Sequence, residues 1–169
     1  MNYLITGRAG SGKSAVGAEL QSRGLNALDT DDIPGLANWE DLNTGKRIEI
    51  DPSGFIDYTK VGWNWNQPTL RRLLETAGQL FLCGSASNEL DFHGLFDKVF
   101  VLSLDPETQK ERLRTRSSKY GKDPAMQKVI LQEQKEFVEQ AVRLGAMAID
   151  NTRPINVVAD EILTHLDEI

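Results

Sequence analysis

The sequence has 169 residues, of which 40% are hydrophobic and 26% are charged, and this composition fits one globular domain spanning residues 1–169. The net charge of −6 argues against a nucleic-acid-binding surface, which needs a basic face, and the single cysteine excludes an internal disulfide. No apolar run reaches the roughly 20 residues of a membrane span, and a cleavable leader would remove the glycine-rich loop near the N-terminus. We therefore expect a cytoplasmic protein, monomeric or homodimeric, without nucleic-acid or membrane partners.

Short apolar runs alternate with helical patterns along most of the chain. Strands are predicted at residues 3–5, 25–28, 80–83, 98–102 and 147–149. Helices are predicted at residues 13–22, 68–77, from 105–107 onward, 124–144 and 154–166. The alternation predicts an α/β fold, a three-layer α/β/α sandwich in which helices cover both faces of a five-stranded parallel sheet. Residues 38–66 interrupt the pattern with a polar stretch that holds all three tryptophans.

The loop after the first strand has the spacing Gly7-x-x-x-x-Gly12-Lys13-Ser14, which is the P-loop pattern between a strand and a helix. Its glycines allow positive φ angles, so successive N–H groups can turn toward a phosphate beside the positive end of the helix. Lys13 supplies a charge to the β and γ phosphates, and the Ser14 hydroxyl can bind Mg²⁺. The loop predicts binding of ATP, or a similar triphosphate, with Mg²⁺. The expected contacts are Gly7, Ala9, Gly10, Ser11, Gly12, Lys13, Ser14 and Ala15.

With this loop and the basic helix at residues 110–116, the chain resembles the adenylate kinase, shikimate kinase and gluconate kinase group of the P-loop superfamily. The resemblance implies transfer of the ATP γ-phosphate to a small molecule, and a short lid at residues 114–124. It also implies that Arg112 lies against the adenine ring and Arg116 on the transferred phosphate; the two lie on one helical face. Backbone groups of Thr152, Arg153 and Pro154 would then contact the adenine edge. The alternative for the arginines is a solvated basic helix face. The loop at 152–154 can also be a plain helix start, which is compatible with a contact to the base.

Two aspartates, Asp29 and Asp31, follow the second strand. The resemblance to shikimate-type kinases implies that Asp29 lies near Mg²⁺ and the attacking hydroxyl, and that Asp31 faces the acceptor. Phosphoryl transfer needs a carboxylate to orient the hydroxyl, and a doubly wound sheet binds ligands at the carboxyl ends of its strands. We therefore expect Lys13, Asp29 and Arg116 to be catalytic, and Ser14 and Asp29 to bind the metal. Alternatively, the aspartates cap a helix or are solvated.

The residues expected to bind the phosphate acceptor lie mainly in the insert at residues 38–66 and in the loop after the third strand. Gly84 allows close backbone approach to a ligand and Ser85 can hydrogen-bond it, but the triple glycine of shikimate-type kinases is absent, which argues against shikimate. Arg71 is a candidate for gripping an acceptor phosphate, or is solvated. Trp39 and Trp63 are candidates for stacking on a base or a sugar, or they fill the core.

The tryptophans and arginines favour a nucleoside or nucleotide acceptor, with a sugar acid as the alternative. An NTP hydrolase and a non-catalytic nucleotide-binding module are the rivals from other classes. Against the hydrolase, the third strand ends in Cys83, where the Walker B aspartate of hydrolases would stand.

Overall fold

The computed structural model describes residues 1–50, 57–116 and 121–166. Its strands are β1 (Asn2–Thr6), β2 (Ala27–Asp29), β3 (Ala37–Asp41), β4 (Val61–Trp65), β5 (Leu80–Cys83), β6 (Lys98–Ser103) and β7 (Met147–Asp150). Its α-helices are α1 (Lys13–Ser22), α2 (Gln67–Thr76), α3 (Pro106–Thr115), α4 (Pro124–Arg143) and α5 (Ile155–Thr164). None of the helices in these residues combines the length and apolar content needed to cross a membrane.

Five strands form one parallel sheet in the order β2-β5-β1-β6-β7, which confirms the predicted α/β fold. Side chains of β1 alternate between its faces. Leu4 packs with Leu70 of α2 and Phe137 of α4, whereas Ile5 packs on the other face with Val16 of α1 and residues of α5. Strands buried on both faces read as continuous apolar runs, and this is why the sequence revealed them.

Most predicted boundaries agree with the structure to within one or two residues, and the start of β2 differs for a clear reason. The prediction began this strand at Leu25, but the Leu25 N–H donates to Leu20 O at the end of α1. Gly24, with φ of 80°, makes this helix-ending turn possible. Leu25 therefore closes α1, and the strand begins at Ala27.

The stretch at residues 38–66 contains an antiparallel hairpin of β3 and β4 that the sequence pattern did not predict. Trp39 lies opposite Trp63 in the hairpin. The β4 backbone is fixed to the loop after β5, because Trp63 N–H donates to Ser87 Oγ and Trp65 N–H donates to Asn88 Oδ1. The hairpin therefore projects from the carboxyl edge of the sheet.

Candidate active site

A cavity of about 980 Å³ opens where the strand order reverses around β1. Its walls come from the loops after β1, β2 and β5, from α3 and α4, and from the hairpin. Ligands of doubly wound sheets bind at such a reversal point. Among the sequence-predicted residues, those that line the cavity are Ala9, Gly10, Gly12, Lys13, Ser14, Ala15, Asp29, Asp31, Trp39, Trp63, Gly84, Ser85, Arg112 and Arg116.

The phosphate loop is shaped by glycines in the left-handed region. Gly10 has φ of 81° and Gly12, the N-cap of α1, has φ of 96°. A Cβ on Gly12 would lie 2.3 Å from Asn151 Nδ2, so this position is closed to any side chain. The loop therefore presents backbone rather than side chains at the helix start, the arrangement that binds phosphate. Gly7 and Ser11, also predicted contacts, are buried in the loop.

Three buried amide side chains hold this loop from behind. Gln134 of α4 accepts the Arg8 N–H at 2.9 Å, Gln109 of α3 donates to Ala9 O at 2.8 Å, and Asn151 donates to Ser11 O at 2.5 Å. The sequence analysis missed the role of all three, because an isolated polar residue on a helix or in a turn gives no signal of burial. They fix the loop geometry without occupying the cavity.

Lys13 is partly buried and donates through Nζ to Gly7 O at 2.5 Å and Arg8 O at 3.3 Å. The pKa of Lys13 is lowered to about 8, mainly by burial; the negative charges of Glu89 and Asp29 raise it, and the positive charges of Arg116 and Arg8 lower it. These two hydrogen bonds hold the ammonium group of Lys13 beside the loop.

Glu89 is a buried carboxylate beneath the loop that the sequence analysis did not identify. It is 1% exposed, and it accepts the Thr6 hydroxyl at 2.5 Å and the Ala86 N–H at 2.8 Å. Glu89 therefore ties the end of β1 to the loop after β5. Of the charges that raise the pKa of Lys13, Glu89 has the largest effect.

Asp29, the last residue of β2, and Asp31 both line the cavity, and Asp29 also has the capping role considered from sequence, while their roles in binding stay predictions. Asp29 accepts the Ser14 hydroxyl at 2.8 Å, and its other oxygen accepts the Asp31 N–H at 3.0 Å and caps a 3-10 helix, Thr30–Asp32. Asp31 accepts the Trp63 indole N–H at 3.3 Å. Burial raises the pKa of Asp31, and the negative charge of Asp29 raises it further.

From the sequence, the tryptophans were expected either at a binding site or in the core, and the structure places two at the cavity wall and one in the core. The rings of Trp39 and Trp63 lie 5.3 Å apart at the cavity wall, and Tyr58, which was not predicted, lies 6.0 Å from Trp39. Trp65 is 2% exposed and stacks on Phe92 in the core. Roles for Trp39 and Trp63 in binding stay predictions.

The two arginines predicted to act on ATP line the cavity from α3 and its end. Arg112 donates to Asn151 O at 2.8 Å and to Ser11 O at 3.4 Å, and Arg116 follows the last residue of α3. Arg112 therefore braces the phosphate loop, a contact the sequence did not suggest. Of the predicted lid, residues 117–120 lie outside the described residues.

Several predicted contacts lie outside the cavity. Arg71 is exposed on α2. Thr152 donates to Asp150, and Arg153 pairs with Glu161 of α5, so the loop at 152–154 starts a helix. These positions do not line the cavity, and their roles in binding stay predictions.

Gly84 lines the cavity, but its small size serves packing. A Cβ there would lie 1.8 Å from Thr30 Oγ1, and Thr30 is 1% exposed. Gly84 therefore packs closely on Thr30, and this contact joins the loops after β2 and β5. Its approach to a ligand stays a prediction.

Comparison with known proteins gives a family and a fold. Residues 4–139, most of the chain, match the model of a family described as an AAA domain. No curated protein matches significantly. Among solved structures, the chain is similar to a deoxyadenosine kinase from M. mycoides, with 16% identity, 99% of this chain and 98% of that chain covered, and a TM-score of 0.58.

Two further solved structures are similar. A shikimate kinase from Acinetobacter baumannii has 17% identity, with 98% of this chain and 92% of that chain covered, and a TM-score of 0.63. A gluconokinase from Sinorhizobium meliloti 1021 has 17% identity, with 98% and 91% covered, and a TM-score of 0.56. At these identities the likeness shows the fold, which these kinases share with this chain.

Proposed function

The chain belongs to the AAA-domain family and has the fold of small P-loop kinases, and from this premise we propose that it is an ATP-dependent phosphotransferase acting on a small molecule. The observation that carries the proposal is one shared space of about 980 Å³, onto which a phosphate loop, two carboxylates and the arginines of α3 open. Small-molecule sites typically measure about 300–1,000 Å³. The space is therefore large enough for nucleotide phosphates and a second molecule side by side.

The residues present fit ATP and Mg²⁺. The closed position at Gly12 and the braced loop leave backbone N–H groups for phosphate, as a phosphate cradle requires. The Ser14 hydroxyl and the Asp29 carboxylate, 2.8 Å apart, are the oxygen donors that Mg²⁺ prefers. Phosphate oxygens and water would complete the coordination, since the described residues hold no group of three or more His, Cys, Asp or Glu side chains arranged for a metal.

Each site residue then has a defined task. When bound, ATP supplies the phosphoryl group and the leaving group. Lys13 and Arg116 neutralise the negative charge that spreads over the transferred phosphoryl, and Asp29 orients the acceptor hydroxyl and accepts its proton. Asp31 holds the acceptor through a hydrogen bond. Catalysis consists mainly of positioning and charge stabilisation, as phosphoryl transfer demands.

A nucleoside or nucleotide is the acceptor that we propose, because Trp39 and Trp63 offer aromatic surface at the cavity wall. A sugar acid of the gluconate type is the alternative. Arg71 is exposed and does not line the cavity, so the proposal does not use it as a contact for an acceptor phosphate.

Against the hydrolase alternative stands the chemistry of Cys83, which ends β5. Burial raises the pKa of the Cys83 thiol to about 12, so the thiol is neutral and does not replace the carboxylate that orients water in hydrolases. Against a non-catalytic module, Lys13, Asp29 and Arg116 contribute to the same cavity.

Turnover with and without acceptor tests the proposal. With ATP and Mg²⁺ alone, we expect slow hydrolysis, and ADP should form rapidly only when an acceptor from a panel of nucleosides, nucleotides and sugar acids is added. A Lys13→Ala change should lower turnover about 100-fold or more, because it removes a charge aimed at the developing anion. Lys128→Ala, at an exposed position of α4, is the matched control and should leave turnover unchanged. Rapid hydrolysis without acceptor would contradict the kinase proposal.

A further inference from the structure

The arginines that line the cavity lie on one side of it, and Lys13 follows the central strand. Arg112 and Arg116 belong to α3 and its end, which follow β6, and Arg8 and Lys13 belong to the loop after the central strand β1. The Arg8 guanidinium lies 4.3 Å from the ring centroid of Phe137 in α4, so it is held toward the helices that cover β6. The carboxylate of Glu133, also in α4, lines this side too.

The other side, formed by the loops after β2 and β5 and by the hairpin, is acidic and aromatic. Its carboxylates are Asp29 and Asp31, and its rings are Trp39, Tyr58 and Trp63. The remaining lining residues here are small, apolar or hydroxyl-bearing, and within the described ranges none is Lys or Arg.

The basic residues of the hairpin do not change this balance. Lys46, Arg47 and Lys60 are exposed and do not line the cavity, and Lys60 pairs with Asp57 at 3.3 Å. The sequence of residues 51–56, Asp-Pro-Ser-Gly-Phe-Ile, contains no Lys or Arg. The hairpin and the residues that connect its strands therefore add no positively charged side chain to the acidic, aromatic side of the cavity.

An acceptor with an anionic group would place that group beside Asp31 and Asp29. The cations whose charge reaches these carboxylates, Lys13 and the Mg²⁺ that Asp29 would hold, are shared with the phosphates of ATP and leave no separate cation for the acceptor. Like charges brought together in this way weaken binding by two orders of magnitude or more. A flat uncharged ring or a cation, in contrast, is attracted by the faces of Trp39 and Trp63. The Asp31 carboxylate then accepts a hydrogen bond from an N–H or O–H group of the acceptor.

We propose that the phosphoryl acceptor is an uncharged or cationic hydroxyl compound, and that the acidic, aromatic side of the cavity excludes acceptors that already carry a phosphate or a carboxylate. This inference rests on the proposed kinase function and narrows it. Of the acceptors considered, it retains nucleosides and adds amino-bearing alcohols, and it removes nucleoside monophosphates and sugar acids.

Fluorescence quenching tests the charge of this side without knowledge of the acceptor. Trp39 and Trp63 line the cavity, whereas Trp65 is 2% exposed and serves as a shielded background. The full chain is loaded with a non-hydrolysable ATP analogue and Mg²⁺, so that the phosphate loop does not attract anions. Quenching by iodide and by the flat 1-methylnicotinamide cation is then compared, each normalised to free N-acetyltryptophanamide.

We expect the cation to quench at least about fivefold more strongly than iodide, because the two quenchers differ in charge at the same rings. The Asp31→Asn variant should reduce this ratio, and the double change Trp39→Phe with Trp63→Phe should abolish quenching by both. Equal or stronger quenching by iodide in the wild-type chain would overturn the inference.

Matched acceptor pairs give a second measurement that separates this inference from the proposed function. Nucleosides are compared with their 5′-monophosphates, and glucosamine with gluconate, by ADP formation with ATP and Mg²⁺. The uncharged or cationic member should be favoured by about 100-fold or more in kcat/KM. A phosphorylated or carboxylated member that turns over as well as its partner would refute the inference and leave the kinase proposal intact. Acceptor-independent hydrolysis would instead contradict the kinase proposal, while the quenching result would still report the charge of the cavity.

Discussion

The pKa of Lys13 predicts how nucleotide binding depends on pH. With a pKa of about 8, Lys13 is about nine-tenths protonated at pH 7 and about one-tenth protonated at pH 9. A bound triphosphate places negative charge beside the amine, which favours the ammonium form and raises the pKa in the complex. Binding above pH 8 must therefore take up a proton, and affinity should fall about tenfold between pH 7 and pH 9.

Calorimetric titration with a non-hydrolysable ATP analogue at pH 7, 8 and 9 measures this effect. Repeating each titration in two buffers of different ionisation enthalpy gives the proton uptake, which should approach one proton per nucleotide at pH 9 and about a tenth of a proton at pH 7. The control is Lys13→Arg, since arginine remains charged throughout this range. Titration of the nucleotide itself affects both proteins equally, so the comparison isolates Lys13.

Glu89 provides a second way to move the same pKa. Its charge raises the pKa of Lys13, so Glu89→Gln should lower that pKa and shift the loss of affinity to lower pH. An unchanged affinity between pH 7 and pH 9 in the wild-type chain would refute the reasoning, and so would an equal fall in Lys13→Arg.

Two further substitutions test the packing around the site. Gly84→Ala should lower the free energy of unfolding, measured in urea, by about 1–3 kcal/mol, because its Cβ would lie 1.8 Å from the buried Thr30 Oγ1. The control is Gly94→Ala, where no atom lies within 4 Å of the added Cβ, and it should change this free energy by less than about 0.5 kcal/mol. Equal losses in the two variants would contradict the steric explanation. Asn151→Ala should lower the free energy of unfolding by about 1–3 kcal/mol and weaken binding of the ATP analogue, because Ser11 O loses the closer of its two donors and keeps only Arg112 at 3.4 Å. Unaltered binding would show that the brace is not needed.

The parallel sheet and the phosphate loop could be predicted because the information for them is local. Tyr3, Leu4 and Ile5 form an apolar run that the covered sheet requires, and the loop spacing fixes the start of α1 at Lys13. The helix starts at Asp105 and Asp123 could also be predicted, because each aspartate accepts backbone N–H groups of the first turn and is followed by a proline.

The hairpin could not be predicted in the same way, because its contacts are distant in sequence. Every residue of β3 is half-buried, so the strand lacks the alternation of buried and exposed positions that identifies a strand. Its position depends on bonds from Trp63 and Trp65 to Ser87 and Asn88, more than twenty residues away. Contacts between residues so far apart produce no local pattern in a single sequence.

The residues that hold the phosphate loop were missed for a related reason. Gln109, Gln134, Asn151 and Glu89 are polar, and a polar residue read from sequence alone is expected at the surface. They are buried because each satisfies a backbone or hydroxyl group of the loop and its neighbours. Their polarity is explained only once the loop is in place, since buried polar groups must be hydrogen-bonded.

The separation of charge in the cavity follows from the order of the strands. Because β1 lies between β5 and β6, the loops after β2 and β5 meet the phosphate loop from one side and α3 meets it from the other. The hairpin is inserted between β2 and β5 in the sequence, so it extends only the acidic side. Under the proposed function, changes in the hairpin or beside Asp31 should therefore alter acceptor choice without loosening the phosphate loop, which Arg112 braces from α3.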